Sequence, residues 1–299
     1  MKNGIISYIM DSDCRFRINA AHGFYKSMPD DAYLKRYYKA RTGRELDLDN
    51  PKTFNEKLQW LKIHDRNPLY TKLVDKYEVK QYVSNRIGSD HIIPTYGVWE
   101  RFEDIDFKAL PDQFVLKTTH DSGGVVICKG KDHFDLDKAR KKLNRSLRRN
   151  FYYKTREWPY KSVQPRILAE KFMVDESGVE LKDYKVLCFN GEPKLIELHQ
   201  GRFTEIHYQD FYDIDWNKTT ICNIHEQPHP DIAPKPICLD DMLECSRILS
   251  ADIPHVRVDW YVINESLYFG EMTFFDASGF DLYKDDNDDL LLGSWITVV

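Results

Sequence analysis

Residues 256–273 read Val-Arg-Val-Asp-Trp-Tyr-Val-Ile, then Asn-Glu-Ser, then Leu-Tyr-Phe-Gly-Glu-Met-Thr. This segment constrains the fold more than any other. Apolar and charged residues alternate at a period of two, the signature of a strand whose two faces differ. Val256, Val258, Trp260 and Val262 supply one apolar face, and Arg257, Asp259 and Tyr261 share the other. In the second run Leu267, Phe269, Glu271 and Thr273 are expected on one face. A three-residue loop at Asn264, Glu265 and Ser266 sets Ile263 opposite Leu267, Asp259 opposite Glu271 and Arg257 opposite Thr273. Directly paired residues have Cβ atoms roughly 4.5–5.5 Å apart, and like charges so placed destabilise a sheet. Two facing carboxylates need a counter-charge. Either Asp259 pairs with Arg257 on a surface hairpin, or a divalent cation sits between Asp259 and Glu271. Oxygen donors of this kind suit Mg²⁺.

Around this hairpin the chain divides into a helical first third and a mixed remainder. Asp30 to Thr42 predicts a helix that stops at Gly43. Thr53 and Glu56 form a capping box for the next helix, with Leu58, Leu61 and Trp60 behind it. A further helix is predicted from Leu69 to Arg86, ended by Gly88. Strands follow at 114–117, 125–128, 166–172, 184–189, 194–199, 256–263 and 267–273, with helices at 137–149 and 239–250. Asn190-Gly191 marks a hairpin. With 299 residues and 42% apolar side chains the chain holds one large or two ordinary domains. The expected division is a helical region over 1–90, an α+β unit over 91–169 and a second over 170–299.

A second constellation lies in Phe114-Val-Leu-Lys117-Thr-Thr-His-Asp-Ser-Gly-Gly124. A lysine ends a strand and enters a small-residue loop whose amides suit a phosphate. The P-loop pattern is absent and a strand, not a helix, follows. An isolated Ser-Gly-Gly is ordinarily just a hairpin turn. Together with the downstream carboxylates it reads as a nucleotide clamp.

Lys117 with Ser122-Gly123-Gly124, the strand Ile167-Leu-Ala-Glu170-Lys171-Phe172, Arg257-Val-Asp259 and Glu271-Met-Thr273 resemble the ATP-grasp enzymes. Thr53-Phe-Asn-Glu-Lys-Leu-Gln-Trp60, Asp75-Lys-Tyr77, Asp183-Tyr-Lys185 through Cys188-Phe-Asn-Gly191, and Tyr268-Phe-Gly-Glu-Met-Thr273 resemble the TupA-like family within them. The similarity covers roughly residues 45–280. It implies an ATP-grasp fold, two α+β subdomains clasping ATP, and an ATP-dependent carboxylate–amine ligase working through an acyl phosphate in surface-polysaccharide assembly. By matching position, Lys117 would contact the phosphates, and Ser122, Gly123 and Gly124 would form the lid. Glu170, Lys171 and Phe172 would meet adenine as the hinge. Lys185 would be a second phosphate lysine, Asp259 and Glu271 would hold Mg²⁺, and Arg257 would face the reacting acyl group. Thr273 stands where the family pattern has an asparagine ligand.

Other features support less. Asp213-Ile-Asp215 matches the D-x-D of glycosyltransferases that hold a metal and a nucleotide sugar, the competing activity. His225 and His229 are flanked by Pro228 and Pro230, which preclude a metal-binding helix. Lys138 to Arg149 forms a basic helix face that is either solvated or meets an anionic glycan or membrane surface. Phe151, Tyr152, Tyr153, Trp158 and Tyr160 after it either pack a connection or stack on sugar. A net charge of −5, from 43 basic and 48 acidic residues, argues against nucleic-acid binding. Six cysteines without a C-x-x-C, and no apolar run of about 18 residues, make a reducing cytoplasmic setting the expectation.

Overall fold

The computed structural model describes residues 8, 10–175, 181–201 and 206–298, so most of the apolar N-terminal stretch at residues 1–10 lies outside the described residues. Helices lead the described part of the chain: α1 Ser12–Ala21, α2 Asp30–Thr42, α3 Phe54–His64, α4 Leu69–Leu73 and α5 Glu78–Ile87. Then come β1 Thr95–Trp99, β2 Phe114–Thr118, β3 Val125–Cys128, α6 Leu136–Leu147, α7 Tyr152–Thr155 and β4 Ile167–Lys171. The remainder comprises β5 Asp183–Phe189, β6 Glu192–Gln200, β7 Tyr208–Tyr212, α8 Leu239–Ser250, β8 His255–Ile263, β9 Ser266–Thr273 and α9 Asp286–Ser294. One antiparallel sheet runs β1-β4-β2-β3 and another β7-β6-β5-β8-β9, so the fold is α+β.

Each sheet has an apolar face and a functional face, as strand alternation dictates. Phe114, Leu116, Cys128, Ile167 and Ala169 pack with Ala139 and Leu143 of α6. Val115, Lys117 and Glu170 therefore point the other way. In the second sheet Val186, Leu198, Val258 and Trp260 join Leu58, Leu61, Leu73, Val79 and Val83 in one core. The helices α3–α5 are thus part of the second sheet's packing, although the sequence set them apart as a separate region. The 169/170 division falls inside β4. No helix among the described residues is long and apolar enough to cross a membrane.

Local chemistry explains the helix ends. Thr53 and Glu56 form the capping box, with Glu56 N donating to Thr53 Oγ1 at 3.2 Å and Thr53 N to the Glu56 carboxylate at 3.0 Å. Asn190 and Gly191, at φ 50° and 83°, turn β5 into β6. The helix expected over 69–86 is broken instead. Asp75 accepts from the amides of Tyr77 and Glu78, at 2.8 and 3.3 Å, and so caps a new helix at Glu78. Asp285 likewise caps α9 through the amide of Asn287. The strands β1 and β7 and the helix α1 were not expected; α1 buries only Phe16 and Ala20, too few to make a visible stripe.

The β8–β9 hairpin departs from expectation twice, and the departures cancel. The loop has two residues, Asn264 and Glu265, both at positive φ (47° and 64°), and Ile263 pairs with Ser266. That register alone would set Asp259 opposite Gly270. A bulge between Phe269 and Glu271 restores Asp259 opposite Glu271 and Arg257 opposite Thr273. The shorter loop moves Leu267 and Phe269 to the apolar face, opposite Val262 and Trp260, where Phe269 meets Trp260 edge-on at 5.9 Å. They do not share a face with Glu271. Glycine suits the bulged position, because a Cβ there would lie 3.0 Å from the Asp259 carbonyl oxygen and 3.3 Å from the Tyr261 ring. Gly270→Ala is expected to cost about 1–3 kcal/mol, read as a lower urea midpoint than wild type. An unchanged midpoint would mean that the neighbours give way to a Cβ at no cost.

Candidate active site

The functional faces of the two sheets enclose a cleft of 990 Å³. Its lining combines apolar side chains, among them Ile93, Val115, Val125, Phe172, Met173 and Leu181, with charged ones, Lys76, Lys117, Lys185, Arg257, Asp259 and Glu271. Most of the expected site residues line this cleft: Lys117, Ser122, Gly123, Glu170, Lys171, Phe172, Lys185, Arg257, Asp259 and Glu271.

On the first sheet, Lys117 Nζ lies 2.8 Å from Glu170, and Lys80 Nζ of α5 lies 2.5 Å from the same carboxylate. Burial alone would raise Glu170, but Lys117 and Lys80 outweigh it and hold the carboxyl below its ordinary value. Lys80 is further fixed by the carbonyl of Ile93 and by Thr95 Oγ1, both at 2.8 Å. Lys117 is the more open of the two to the cleft. The Glu170 side chain thus positions cations, a role distinct from the backbone contact expected of it. Beside it, the amide of Lys171 donates to the Pro94 carbonyl at 2.9 Å, which binds β4 to the segment before β1.

The loop after Lys117 presents Ser122 and Gly123 to the cleft, but Gly124 is a correction. It is buried, it does not line the cleft, and a Cβ there would overlap Thr118 Oγ1 at 1.8 Å and Ser146 Oγ at 2.4 Å. Its carbonyl accepts from the Thr118 amide at 2.8 Å. Gly124 closes the base of the loop. His120 is buried with Nε2 against the carbonyls of Ser146 (3.3 Å) and Arg149 (3.2 Å), so it ties the loop to α6.

On the second sheet the carboxylates sit among cations. Arg257 forks onto Asp259, Nε to Oδ1 at 2.7 Å and Nη2 to Oδ2 at 2.8 Å. It also donates through Nη1 to Asp276 and through Nη2 to Thr273 Oγ1 at 3.4 Å. This is the Asp259–Arg257 pairing that stood as the alternative to a metal. Burial nevertheless pushes Asp259 up to about 7 against that pull, with Asp183 and Glu271 adding like charge. Lys76 Nζ, 3.1 Å from Glu271, holds that carboxyl down to about 2. With the side chains so placed, no three acidic, histidine or cysteine side chains among the described residues converge on one point. The donor chemistry still fits Mg²⁺: hard carboxylate oxygens from Asp259 and Glu271 in register, with a crowded carboxyl that a cation would relieve. Arg257 or Lys76 would yield to it.

Lys185 Nζ lies 2.7 Å from His199 Nε2 and 3.5 Å from Glu197. His199 also meets Glu197 at 2.5 Å and stacks on His207, the ring centroids 4.9 Å apart. Sequence reading missed this buried group, along with Lys76, Lys80 and Asp276. Lys76 was hidden because the segment reads as continuous helix; the Asx cap at Asp75 was the available signal. Asp276 belongs to no pattern. It opens a turn in which Ala277, Ser278 and Gly279 have φ of 44°, 58° and 65°, a conformation costing roughly 1–2 kcal/mol for each non-glycine residue.

Asp213 and Asp215 lie outside the cleft. Asp213 accepts from the amides of Asp215 (3.0 Å) and Asn217 (2.7 Å) and from the Asn217 side chain (2.9 Å), so it is spent on its own turn. The aromatics after α6 pack a connection: Phe151 meets Tyr160 edge-on at 5.1 Å, and Tyr152 bonds Asp30 at 2.6 Å. Lys138, Lys141, Lys142, Arg145, Arg148 and Arg149 are exposed. Lys142, Arg145 and Arg149 share one helix face and, with Ser146 and Gly123, line a 150 Å³ hollow beside the loop.

The profile of TupA-like ATP-grasp proteins matches residues 56–297. No functionally curated protein matches the chain. Among solved structures it is similar to D-alanine–D-alanine ligase from Helicobacter pylori, at 15% identity over 83% of this chain and 70% of that one, with a TM-score of 0.47. It is also similar to the L-amino acid ligase of Bacillus licheniformis, at 12% identity over 75% and 49% of the two chains, TM-score 0.43. A third is the Bacillus anthracis D-alanine–D-alanine ligase complexed with ATP, at 16% identity over 68% and 55%, TM-score 0.39. The chain spans about half the length of the last two. The profile match runs through all nine described strands and every cleft residue named above, and the chain belongs to the TupA-like ATP-grasp family.

Proposed function

We propose that this protein binds MgATP in the cleft between its two sheets and uses it to couple a carboxylate to an amine in building or modifying a cell-surface polysaccharide. The observation that carries this reading is the convergence of Lys117, from the first sheet, with Asp259, Glu271, Lys185 and Arg257, from the second, on one cleft that also has apolar lining. Phe172 and Met173 in that lining suit a flat base. Lys117, Ser122 and Gly123 face the phosphates, and Lys185 is the second phosphate cation. Asp259 and Glu271 would hold Mg²⁺, with Thr273 beside them; the ion would neutralise phosphate charge.

The chemistry asks the protein for position and positive charge. A carboxylate oxygen attacks the γ-phosphorus and ADP leaves with the electrons of the broken P–O bond. The amine then attacks the acyl carbon, releasing phosphate and a proton. Phosphoryl transfer of this kind is catalysed chiefly by charge neutralisation in a site shielded from water. Arg257, buried and held at Nη1 and Nη2, meets the acyl group. No serine or cysteine nucleophile is required.

Titration calorimetry tests the assignment. Lys117→Ala and Glu271→Ala are each expected to weaken MgATP binding by about tenfold or more, the loss of one charge-assisted contact, whereas Asp215→Ala binds as wild type does. Binding of a UDP-sugar with Mn²⁺ that is lost in Asp215→Ala, with no MgATP binding, would instead establish the glycosyltransferase.

The same reading gives the exposed cations of α6 a partner. A hexuronate-bearing substrate is anionic, and the Lys142, Arg145 and Arg149 face adjoins the loop that covers the phosphates. Replacing all three by glutamine is expected to weaken binding of oligogalacturonate by about tenfold at low salt and by much less in high salt, with MgATP affinity unchanged. Equal affinity of the variant and wild type for oligogalacturonate would remove this surface from the substrate path.

A further inference from the structure

The helix α3 presents an unusual face to the interior. Asn55, Gln59 and Lys62 follow one another at helical spacing and are all buried, at 2%, 0% and 1% exposure, where an apolar stripe is the rule. Each sends at least one donor to the segment 278–281 beside the reacting centre, and Asn55 also donates to Asp289 of α9 at 3.1 Å. Asn55 Nδ2 donates to the Asp281 carbonyl at 2.7 Å. Gln59 Nε2 donates to the carbonyls of Gly279 (2.7 Å) and Ser278 (3.1 Å). The three donors of the Lys62 ammonium are satisfied by Ser278 O (2.8 Å), Thr155 O (2.9 Å) and Gln59 Oε1 (2.9 Å). Glu157 completes the clamp, accepting from Ser278 Oγ at 2.5 Å and from Thr155 Oγ1 at 2.9 Å.

The clamped segment is the left-handed turn at 276–279, and its first residue, Asp276, accepts from Arg257 Nη1. A buried ammonium is retained only where it is paired and fully hydrogen-bonded. This one is used on the carbonyl of a residue at φ 58°, a backbone that relaxes to right-handed values unless its surroundings fix it. Arg257 is anchored by Asp259 on its own strand, by Thr273 Oγ1 on β9 and by Asp276 on the turn. Only the last depends on a segment outside the sheet.

We propose that Lys62 and Gln59 are positioning residues for the ligation reaction: from α3 they lock the 276–279 turn, and through Asp276 the turn fixes the Arg257 guanidinium at the acyl centre. This rests on the reading of Arg257 as the group that faces the reacting acyl carbon. It also gives the Asn55-Glu-Lys-Leu-Gln59 part of the family string, which touches no part of the cleft, a place in the chemistry.

The test joins a spectroscopic readout to a kinetic one. In [¹⁵N]arginine spectra of the full chain, Arg257 is expected to show two slowly exchanging Nη groups, assigned by their loss in Arg257→Lys. Lys62→Met, which fills the same space without donors, frees Nη1 while Asp259 keeps Nε and Nη2, so that the Nη1 signal shifts and its protons exchange faster with water, as they do in Asp276→Ala. In Mg²⁺-dependent ADP release, Lys62→Met lowers kcat about 10- to 100-fold, the penalty for a misplaced catalytic group, and leaves KM for ATP within about twofold. Adding Lys62→Met to Asp276→Ala lowers kcat no further, because the two act through one contact. An unshifted, slowly exchanging Nη1 signal in a folded Lys62→Met, or losses that add in the double variant, would overturn the proposal. Gln59→Leu carries the same expectations and takes over if Lys62→Met does not fold. If wild type releases no ADP, the ligase reading falls, and the Arg257 spectrum still decides whether the clamp sets the guanidinium.

Discussion

Everything in the second sheet is arranged around a surplus of buried and half-buried negative charge. Glu197, Asp259, Glu271 and Asp276 stand close to Arg257, Lys185 and Lys76, the cations that answer them. Removing so many ions from water costs several kcal/mol for each, and their mutual attraction recovers that only with near-ideal geometry. A chain selected for stability alone would fill these positions with valine and leucine, as it does on the opposite face of the same strands at Val186 and Val258. The fork from Arg257 to Asp259 is what makes the arrangement tolerable before any ligand arrives, and Lys76 serves Glu271 in the same way. These pairs resemble placeholders: each cation occupies oxygens that a metal would take over.

The two sheets divide the work between them. The first contributes the cation and the small-residue loop, with Lys80 and Glu170 holding Lys117 forward. The second contributes the carboxylates and the arginine. Neither face alone could bring a nucleotide's phosphates, a metal and an acyl group together. The packing of α3–α5 against the second sheet therefore bears directly on the site, since the break between α4 and α5 delivers Lys76 to Glu271 and Lys80 to Glu170.

Much of this was legible in the sequence, and the failures are instructive. Periodicity located most of the strands, and the pairing of Asp259 with Glu271 was anticipated with the wrong loop and no bulge. Period-two reasoning fixes faces only while the alternation is unbroken, and Gly270 breaks it. The continuous helix expected over 69–86 failed because Asp75 turned its side chain back on the chain, a local competition that apolar spacing does not report. Gly124 looked like a phosphate ligand because it sits in a glycine pair; only tertiary contact shows that its missing Cβ makes room for Thr118 and Ser146. Lys62 and Asp276 could not be found at all, since each matters through a partner far away in sequence.

The base of the small-residue loop bears on how the cleft opens and shuts. Asp121 bridges Thr118 and Ser146, His120 reaches two carbonyls at the end of α6, and Lys76 binds the carbonyls of Thr119 and Asp121. A loop secured on both sides in this way is no free flap hinged at its two strand ends. Whatever travel brings Gly123 down onto a phosphate must be shared with α6 and with the start of α5, so that a hairpin, a helix and a lysine-bearing corner move as one lever. Nucleotide occupancy would then be felt at the exposed basic surface of α6, on the far side of the loop from the cleft.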